Sequence, residues 1–438
     1  MIKRLFRPSI AAAIFFLYAS SAVAQSPSVL SEVDEIMASL SEITGWPVKH
    51  KVPSETLSRE KFSKLVADGM KGAEKDKGVV ATELTLKMFG LAPWDFNLVK
   101  ESTELITEQA AAFYDYQKKR LFVLEAPPAA AGARTGDSHD AEDRISLAHE
   151  LAHALADQQY PLHKYLEGAK RDDEGTARQA VIEGQASWLS WAYLYKRNGG
   201  SGEVPPAMVT QLADAAGAQG DDFPVLTGTP LYMRESLIFP YGQGMRFIDS
   251  EFRDLQKKSF DHVFMQPPTS THDILHPDEY RRHVTPTVPM LPKLDAVLES
   301  LHLESVMKGW KQIIDGDVGE FDYSVMLRQY TSAKEGREVA SHWRGGSYRL
   351  YQRKGEKYPI LMHVSDWESA STARDFEQLY ERVLQGKWKK MEVGSRTANE
   401  VRGTGDTGNF LLRINGASVE CIEGLPGPPS DCKELCKL

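Results

Sequence analysis

The sequence contains very little cysteine. Its 438 residues include only three cysteines, and all of them lie in the last 18 positions: Cys421, Cys432 and Cys436. No cysteine before Cys421 can therefore act as a metal ligand. In an oxidising compartment we expect Cys421 to pair with Cys432 or Cys436 and to leave one thiol over. As a zinc site the trio is weak, because it lacks a nearby fourth ligand.

The chain also lacks a long basic run and, beyond its N-terminus, any apolar stretch of the roughly 20 residues that span a bilayer. Its net charge is −9, and the charges are spread along the sequence. Nucleic acid is therefore not an expected partner, and no stable membrane span is expected after the N-terminal segment. Hydrophobic content of 42% and charged content of 26% are ordinary for a soluble globular protein.

The N-terminus has the pattern of a secretory signal peptide. Lys3 and Arg4 precede an apolar segment at positions 10–18, which is too short for a membrane span. Ala22-Val23-Ala24 then supplies the small residues that signal peptidases recognise. We expect residues 1–24 to be removed by cleavage after Ala24, and a periplasmic or secreted location for the rest.

Hydrophobic periodicity predicts an α+β fold in two parts. Residues 25–320 are expected to form a mainly helical domain. One β-hairpin is predicted in it at Ala112–Leu124, where two apolar runs flank the polar residues 117–120. From residue 321 to residue 438, short apolar runs surround a predicted helix at 371–384. This pattern indicates a small α+β C-terminal domain.

The most informative segment is His149-Glu150-Leu151-Ala152-His153, an H-E-x-x-H pattern. It lies in a helix predicted from about Asp140 to Gln159. Residues four apart on a helix share one face, so the two imidazoles can bind one zinc ion. Glu150 beside them can then act as a base on a zinc-bound water. The segment predicts a metal-dependent hydrolase.

A catalytic zinc needs three protein ligands and one open position. A third histidine in the same segment is excluded, because Gln159 occupies that position. The alternative is a glutamate from the next predicted helix, and Glu183 supplies it. Gly184 beside it would let that helix approach the motif helix closely, since it has no side chain. The rival third ligands are Glu174, Asp172 and His163.

The two segments together resemble the gluzincin zinc metallopeptidases. The likeness rests on H-E-L-A-H-A-L-A-D-Q, followed about thirty residues later by E-G-Q-A. It implies a zincin-like domain in which His149, His153 and Glu183 bind Zn²⁺ and Glu150 is the general base. The hairpin at Ala112–Leu124 resembles the edge strand on which such enzymes hold an extended substrate. A peptide or protein is therefore the expected partner.

Secreted bacterial proteins of this gluzincin type also carry segments like Pro267–Thr271, Ile274–Pro277 and Phe239–Gly242. An oxyanion donor is still needed on the far side of the site. The candidates for that catalytic role are His276, Tyr280 and Tyr241. The other histidines, including His272, have no metal-ligand motif around them and are interpreted as surface or packing residues.

The leading interpretation is an exported zinc metallopeptidase, and two alternatives remain open. One is a periplasmic binding or assembly protein that retains a zinc site without turnover, although a structural site would not need Glu150. The other is a zinc amidase that acts on a non-peptide substrate such as the cell wall, although the hairpin edge suits a polypeptide.

Asp157, four residues after His153, is expected to accept a hydrogen bond from an imidazole.

Overall fold

The computed structural model describes residues 29–125, 137–216 and 223–427. The predicted signal peptide, Cys432 and Cys436 lie outside these residues, and Cys421 is buried with a free thiol. The fold is α+β, as predicted, with helices throughout and a large antiparallel sheet in the C-terminal region. Within the described ranges, no helix is both long and apolar enough to cross a membrane.

Helices make up most of the chain before residue 300. The α-helices of the described residues are α1 (Val33–Thr44), α2 (Arg59–Met70), α3 (Lys77–Phe89), α4 (Leu98–Gln109), α5 (Asp137–Gln159), α6 (Leu162–Glu167), α7 (Asp172–Arg197), α8 (Pro206–Ala216), α9 (Pro224–Gly228), α10 (Leu231–Leu255), α11 (Lys258–Met265), α12 (Thr271–Leu275), α13 (Pro277–Arg281), α14 (Leu294–Ser300), α15 (Glu320–Tyr330), α16 (Ala333–Ala340) and α17 (Ala370–Lys387).

The strands form two sheets. The first has three strands in the order β1-β3-β2, and the second has seven in the order β4-β5-β6-β10-β9-β8-β7. The strands are β1 (Ser54–Leu57), β2 (Ala112–Asp115), β3 (Arg120–Leu124), β4 (Lys311–Asp317), β5 (Trp343–Gln352), β6 (Ile360–Trp367), β7 (Met391–Arg396), β8 (Glu400–Gly405), β9 (Gly408–Asn415) and β10 (Ser418–Leu425).

The small sheet contains the predicted hairpin. Strands β2 and β3 pair antiparallel, with Phe113 opposite Phe122, and these two rings stack with centroids 4.9 Å apart. Strand β1 adds in parallel to the other side of β3. Strand β2 is therefore an edge strand of this sheet, and it packs beside helix α5.

Helix α5 is held by an apolar face of leucines. Leu147, Leu151 and Leu155 recur every four residues and are all 0% exposed. Full burial of one leucine side chain is worth about 1.5–3 kcal/mol, so this face fixes the rotation of the helix. The H-E-x-x-H residues are fixed with it.

Helix α7 packs between α5 and α10. It is longer than the helix that the sequence predicts there, from about Thr176 to Trp191. Its first turn carries Asp172, Asp173 and Glu174, and its last turn carries Lys196 and Arg197. Acidic groups at the N-terminus and basic groups at the C-terminus both stabilise the helix dipole. These charges explain why the helix extends several residues beyond the predicted range at both ends.

The helical part and the large sheet share one hydrophobic core. Phe89 of α3 makes an edge-to-face contact with Tyr348 of β5, with ring centroids 5.8 Å apart. The seven-stranded sheet begins at Lys311, ahead of the domain boundary predicted between residues 320 and 321. Strand β4 precedes that boundary and pairs with β5, which follows it. The boundary itself stays a prediction.

Candidate metal centre

Helices α5 and α7 bring two imidazoles and one carboxylate together. His149 Nε2 lies 3.2 Å from Glu183 Oε2 and 3.1 Å from His153 Nε2. His153 Nε2 lies 3.3 Å from the same carboxylate oxygen. All three residues are buried, with 0–4% of their surface exposed. The three predicted metal ligands thus meet at one point and could hold a metal ion.

The spacing of these atoms fits a single small cation. A tetrahedral zinc ion with ligands at about 2.0–2.1 Å separates neighbouring ligand atoms by about 3.3 Å. The observed separations of 3.1–3.3 Å match this value. Two neutral imidazoles and a carboxylate are a donor set that suits zinc. The residues present therefore fit the ion that the sequence predicts.

The contact between α7 and α10 has no room for side chains. A Cβ atom on Gly184 would lie 2.1 Å from the carbonyl carbon of Gly244, and one on Gly244 would lie 2.1 Å from the carbonyl oxygen of Ala180. The close approach expected at Gly184 is present, but its nearest neighbours belong to α10 and not to the motif helix. Glu183 is thereby held next to α10.

Two side chains orient the carboxylate of Glu183. Gln179, one helical turn earlier on α7, donates its amide N–H to Glu183 Oε1 at 2.9 Å. Tyr241 of α10 donates its hydroxyl to the same carboxylate, and its ring stacks on His149 with centroids 5.8 Å apart. Gln179 was not predicted as a site residue, although its i,i+4 spacing to Glu183 was a usable signal.

Glu150 points toward strand β2. Its Oε2 accepts a hydrogen bond of 2.7 Å from the backbone N–H of Tyr114. Leu124 N donates to Ala111 O, so the alternation of an antiparallel pair turns the backbone groups of Ala112 and Tyr114 away from β3. The free edge of β2 therefore faces the H-E-x-x-H helix, beside the carboxylate of Glu150.

Burial shifts the pKa values of the site. It raises the pKa of Glu150 to about 7, an effect that His153 opposes and Glu183 reinforces. It lowers the pKa of His149 to about 4. Burial would also lower the pKa of His153, but the charge and hydrogen bond of Glu183 outweigh it, and that pKa is raised. A cation bound by these residues requires both imidazoles to be neutral, so its binding would displace any additional proton from them.

The rival third ligands have other partners or positions. Glu174 forms an ion pair of 2.6 Å with Arg178, and the backbone N–H of Asp172 donates to Asp317. His163 lies on the short helix α6. Within the described ranges, the group that could hold a metal and contains both motif histidines has Glu183 as its third member.

The other predicted site residues are distributed over two regions. Tyr241 contacts the metal ligand Glu183. His276 Nε2 instead lies 3.0 Å from Glu320 Oε2, and the hydroxyl of Tyr280 donates to the carbonyl of Gln266 at 2.6 Å. Neither contact is with His149, His153 or Glu183. Catalytic roles for His276 and Tyr280 therefore stay predictions.

Asp157 lies under the hairpin. It accepts hydrogen bonds from the hydroxyl of Tyr114 at 3.1 Å and from the backbone N–H of Leu162 at 3.0 Å, and it pairs with Lys119. Its negative charge also contributes to the raised pKa of His153. Asp157 therefore ties the motif helix to strand β2 and acts on the imidazole through its charge.

Comparisons with known proteins cover only the C-terminal region. Residues 311–431 match a family described as "Domain of unknown function (DUF8575)", a range that nearly coincides with the seven-stranded sheet and its helices. Comparison with curated proteins and with solved structures finds no match to the chain. The metal centre lies outside the matched residues.

Proposed function

We propose that the protein is an exported zinc-dependent metallopeptidase, with a zincin-like domain over residues 25–320. The observation that carries this proposal is the meeting of His149, His153 and Glu183 at separations of 3.1–3.3 Å, with Glu150 next to them on the same helix. The signal-peptide pattern at residues 1–24 supports export to the periplasm or the medium.

His149, His153 and Glu183 would hold the zinc ion, which would supply the Lewis acid that makes water nucleophilic near neutral pH. Glu150 then accepts the proton of the attacking water and delivers it to the leaving amine. The backbone N–H of Tyr114 holds the carboxylate in place through its 2.7 Å hydrogen bond. Without metal, burial raises the pKa of Glu150 to about 7; the charge of a bound zinc would lower it and favour the carboxylate form that accepts a proton.

The free edge of β2 supports a polypeptide as the substrate. The N–H of Tyr114 is engaged by Glu150, so an extended peptide can pair with the outward backbone groups of Ala112 and the carbonyl of Tyr114 and pass beside Glu150. Tyr241 is the favoured oxyanion donor of the three candidates, because its hydroxyl lies beside Glu183; in this role it would redirect its O–H from that carboxylate to the oxyanion. His149, Glu150 and Tyr241 are each at most 5% exposed. Entry of a substrate therefore requires the elements that cover the site to move.

A second candidate is a metal-binding protein without turnover. The nearly complete burial of the cluster favours it, because a site closed to solvent can serve for binding alone. Zinc bound at this cluster with no cleavage across a broad peptide library would support this function. A zinc amidase acting on a non-peptide substrate would instead release products from cell-wall material under the same conditions.

The test compares cleavage of a proteome-derived peptide mixture by the wild type and by Glu150→Gln. Glu142→Gln, which lies about two turns earlier on α5, is the matched control. We expect Glu150→Gln to retain zinc and to lose turnover by about 10²–10⁴-fold, whereas Glu142→Gln cleaves like the wild type. Equal turnover in Glu150→Gln and the wild type would refute the proposal.

A further inference from the structure

A second cluster, of two imidazoles and one carboxylate, lies at helix α12. His272 lies in this helix and His276 directly follows it. The two rings lie with centroids 4.1 Å apart. Both face one carboxylate at the start of α15, with His272 Nδ1 in contact with Glu320 Oε2 and His276 Nε2 at 3.0 Å from the same oxygen.

The loop before these histidines is fixed on both sides. The hydroxyl of Ser270 accepts the backbone N–H of Asp273 at 3.3 Å and caps α12. Thr271 donates its hydroxyl and its backbone N–H to Asp173 of α7, at 2.7 and 3.0 Å. The two imidazoles are therefore held by the fold before any ligand binds, as expected of a built site.

The cluster is separate from the first metal centre. Asp173, which holds Thr271, precedes Glu183 by ten residues on the same helix, a distance of about 15 Å along the axis. The side chains of His272 and Glu320 are 4–5% exposed, and that of His276 is 29% exposed. The pocket is thus buried on the side of the carboxylate and open at His276.

Two arrangements can bring these atoms together. In the first, each neutral ring donates one N–H to Glu320, and both hydrogen bonds share Oε2. In the second, a divalent cation lets both rings remain neutral and bind through Nδ1 of His272, Nε2 of His276 and the carboxylate. His272 Nε2 lies 3.1 Å from Glu279 Oε2, so its N–H can donate to the kind of outer carboxylate that usually orients a metal-binding histidine.

We propose that His272, His276 and Glu320 form a second site for a divalent transition-metal ion such as zinc. The ligand atoms of the three residues lie within 4.8 Å of one another. A metal there joins α12, which is anchored to α7, to the first turn of α15. It therefore links the helical region to α15, which lies in the sequence between strands β4 and β5 of the large sheet. The open side at His276 leaves a position for a water ligand.

The experiment measures zinc per chain in the full mature protein after loading with zinc alone and removal of excess metal. His276→Gln is the main variant, since its side chain is partly exposed, and Glu320→Gln is the second. The exposed His50, which makes only backbone hydrogen bonds to Gln158, supplies the matched control His50→Gln. We expect each variant of the cluster to lose one equivalent relative to the wild type and to His50→Gln.

A complementary variant removes the first centre. His149→Gln combined with His153→Gln is expected to retain one equivalent of zinc and to melt at a higher temperature with zinc than with a chelator. Adding His276→Gln to it should abolish both effects. Unchanged zinc content in His276→Gln and Glu320→Gln overturns the proposal, as does a folded first-centre variant that binds no zinc. Neither outcome depends on hydrolytic activity, so the proposed function is tested separately.

Discussion

The helix contact behind the metal centre offers a sharp test by the substitution Gly244→Ala. The new Cβ atom would lie 2.1 Å from the carbonyl oxygen of Ala180, whereas ordinary contacts begin at 3.4 Å, so the shortfall is 1.3 Å. That oxygen belongs to the backbone of α7 and cannot turn aside. Helix α10 must therefore shift away from α7 by about 1 Å, and overpacking of this kind costs about 1–3 kcal/mol.

The shift also acts on the site. Tyr241 lies one turn before Gly244 on α10, and its hydroxyl bonds to Glu183. Moving α10 outward lengthens this hydrogen bond and loosens the carboxylate that binds the metal. We therefore expect Gly244→Ala to lose stability, after an offset of up to about 1 kcal/mol from better helix propensity, and to bind zinc more weakly.

The assay makes two measurements on each preparation. One sample is unfolded in urea, and a second, folded sample is titrated with zinc. The matched control is Gly228→Ala in α9, because a Cβ atom there meets nothing within 4 Å. This control should keep the wild-type stability or gain up to about 1 kcal/mol. If Gly244→Ala unfolds at the same urea concentration as Gly228→Ala and binds zinc equally well, the assigned role of this helix contact is wrong.

Two further predictions concern individual side chains. Tyr241→Phe removes the proposed oxyanion donor together with its hydrogen bond to Glu183, so turnover measured at saturating zinc should fall by about 10²–10³-fold; unchanged steady-state rates on a peptide substrate would rule this role out. Metal-free Glu150→Gln should gain stability over the wild type as pH rises. The folded pKa of Glu150 is about 7 against an ordinary 4.5, so its contribution is fully present below pH 4.5 and is lost as pH rises through 7. The difference between the two proteins should grow by up to about 3 kcal/mol from pH 4.5 to pH 8. Urea unfolding in chelator measures it, and a pH-independent difference would contradict the assigned environment.

Local signals were sufficient to predict that His149, His153 and Glu183 come together. The spacing of His149 and His153 on a leucine-backed helix predicted the two imidazoles, and the E-G-Q-A segment predicted Glu183. The hairpin was predicted by its two apolar runs. In each case the signal lies within one helix, one hairpin or one known pair of motifs, where spacing alone fixes the geometry.

Features that depend on tertiary contacts were missed. The sequence pattern indicates a helix only from Tyr241 to about Phe252, whereas α10 begins at Leu231 and contains Pro240, a residue that normally ends or kinks a helix. Strand β1 is mostly exposed and carries no alternating pattern, so its parallel pairing with β3 had no signal. His272 was interpreted as an ordinary histidine. Its spacing to His276 was visible, but the third member, Glu320, joins them only in the folded chain.

The most direct test of the central claim is a zinc titration of chelator-treated protein, with peptide hydrolysis and bound zinc measured in the same samples. If His149, His153 and Glu183 hold the catalytic metal, hydrolysis returns with zinc in the wild type. Glu150→Gln should take up as much zinc and remain inactive. Hydrolysis that persists without metal, or that returns equally in Glu150→Gln, would contradict the account.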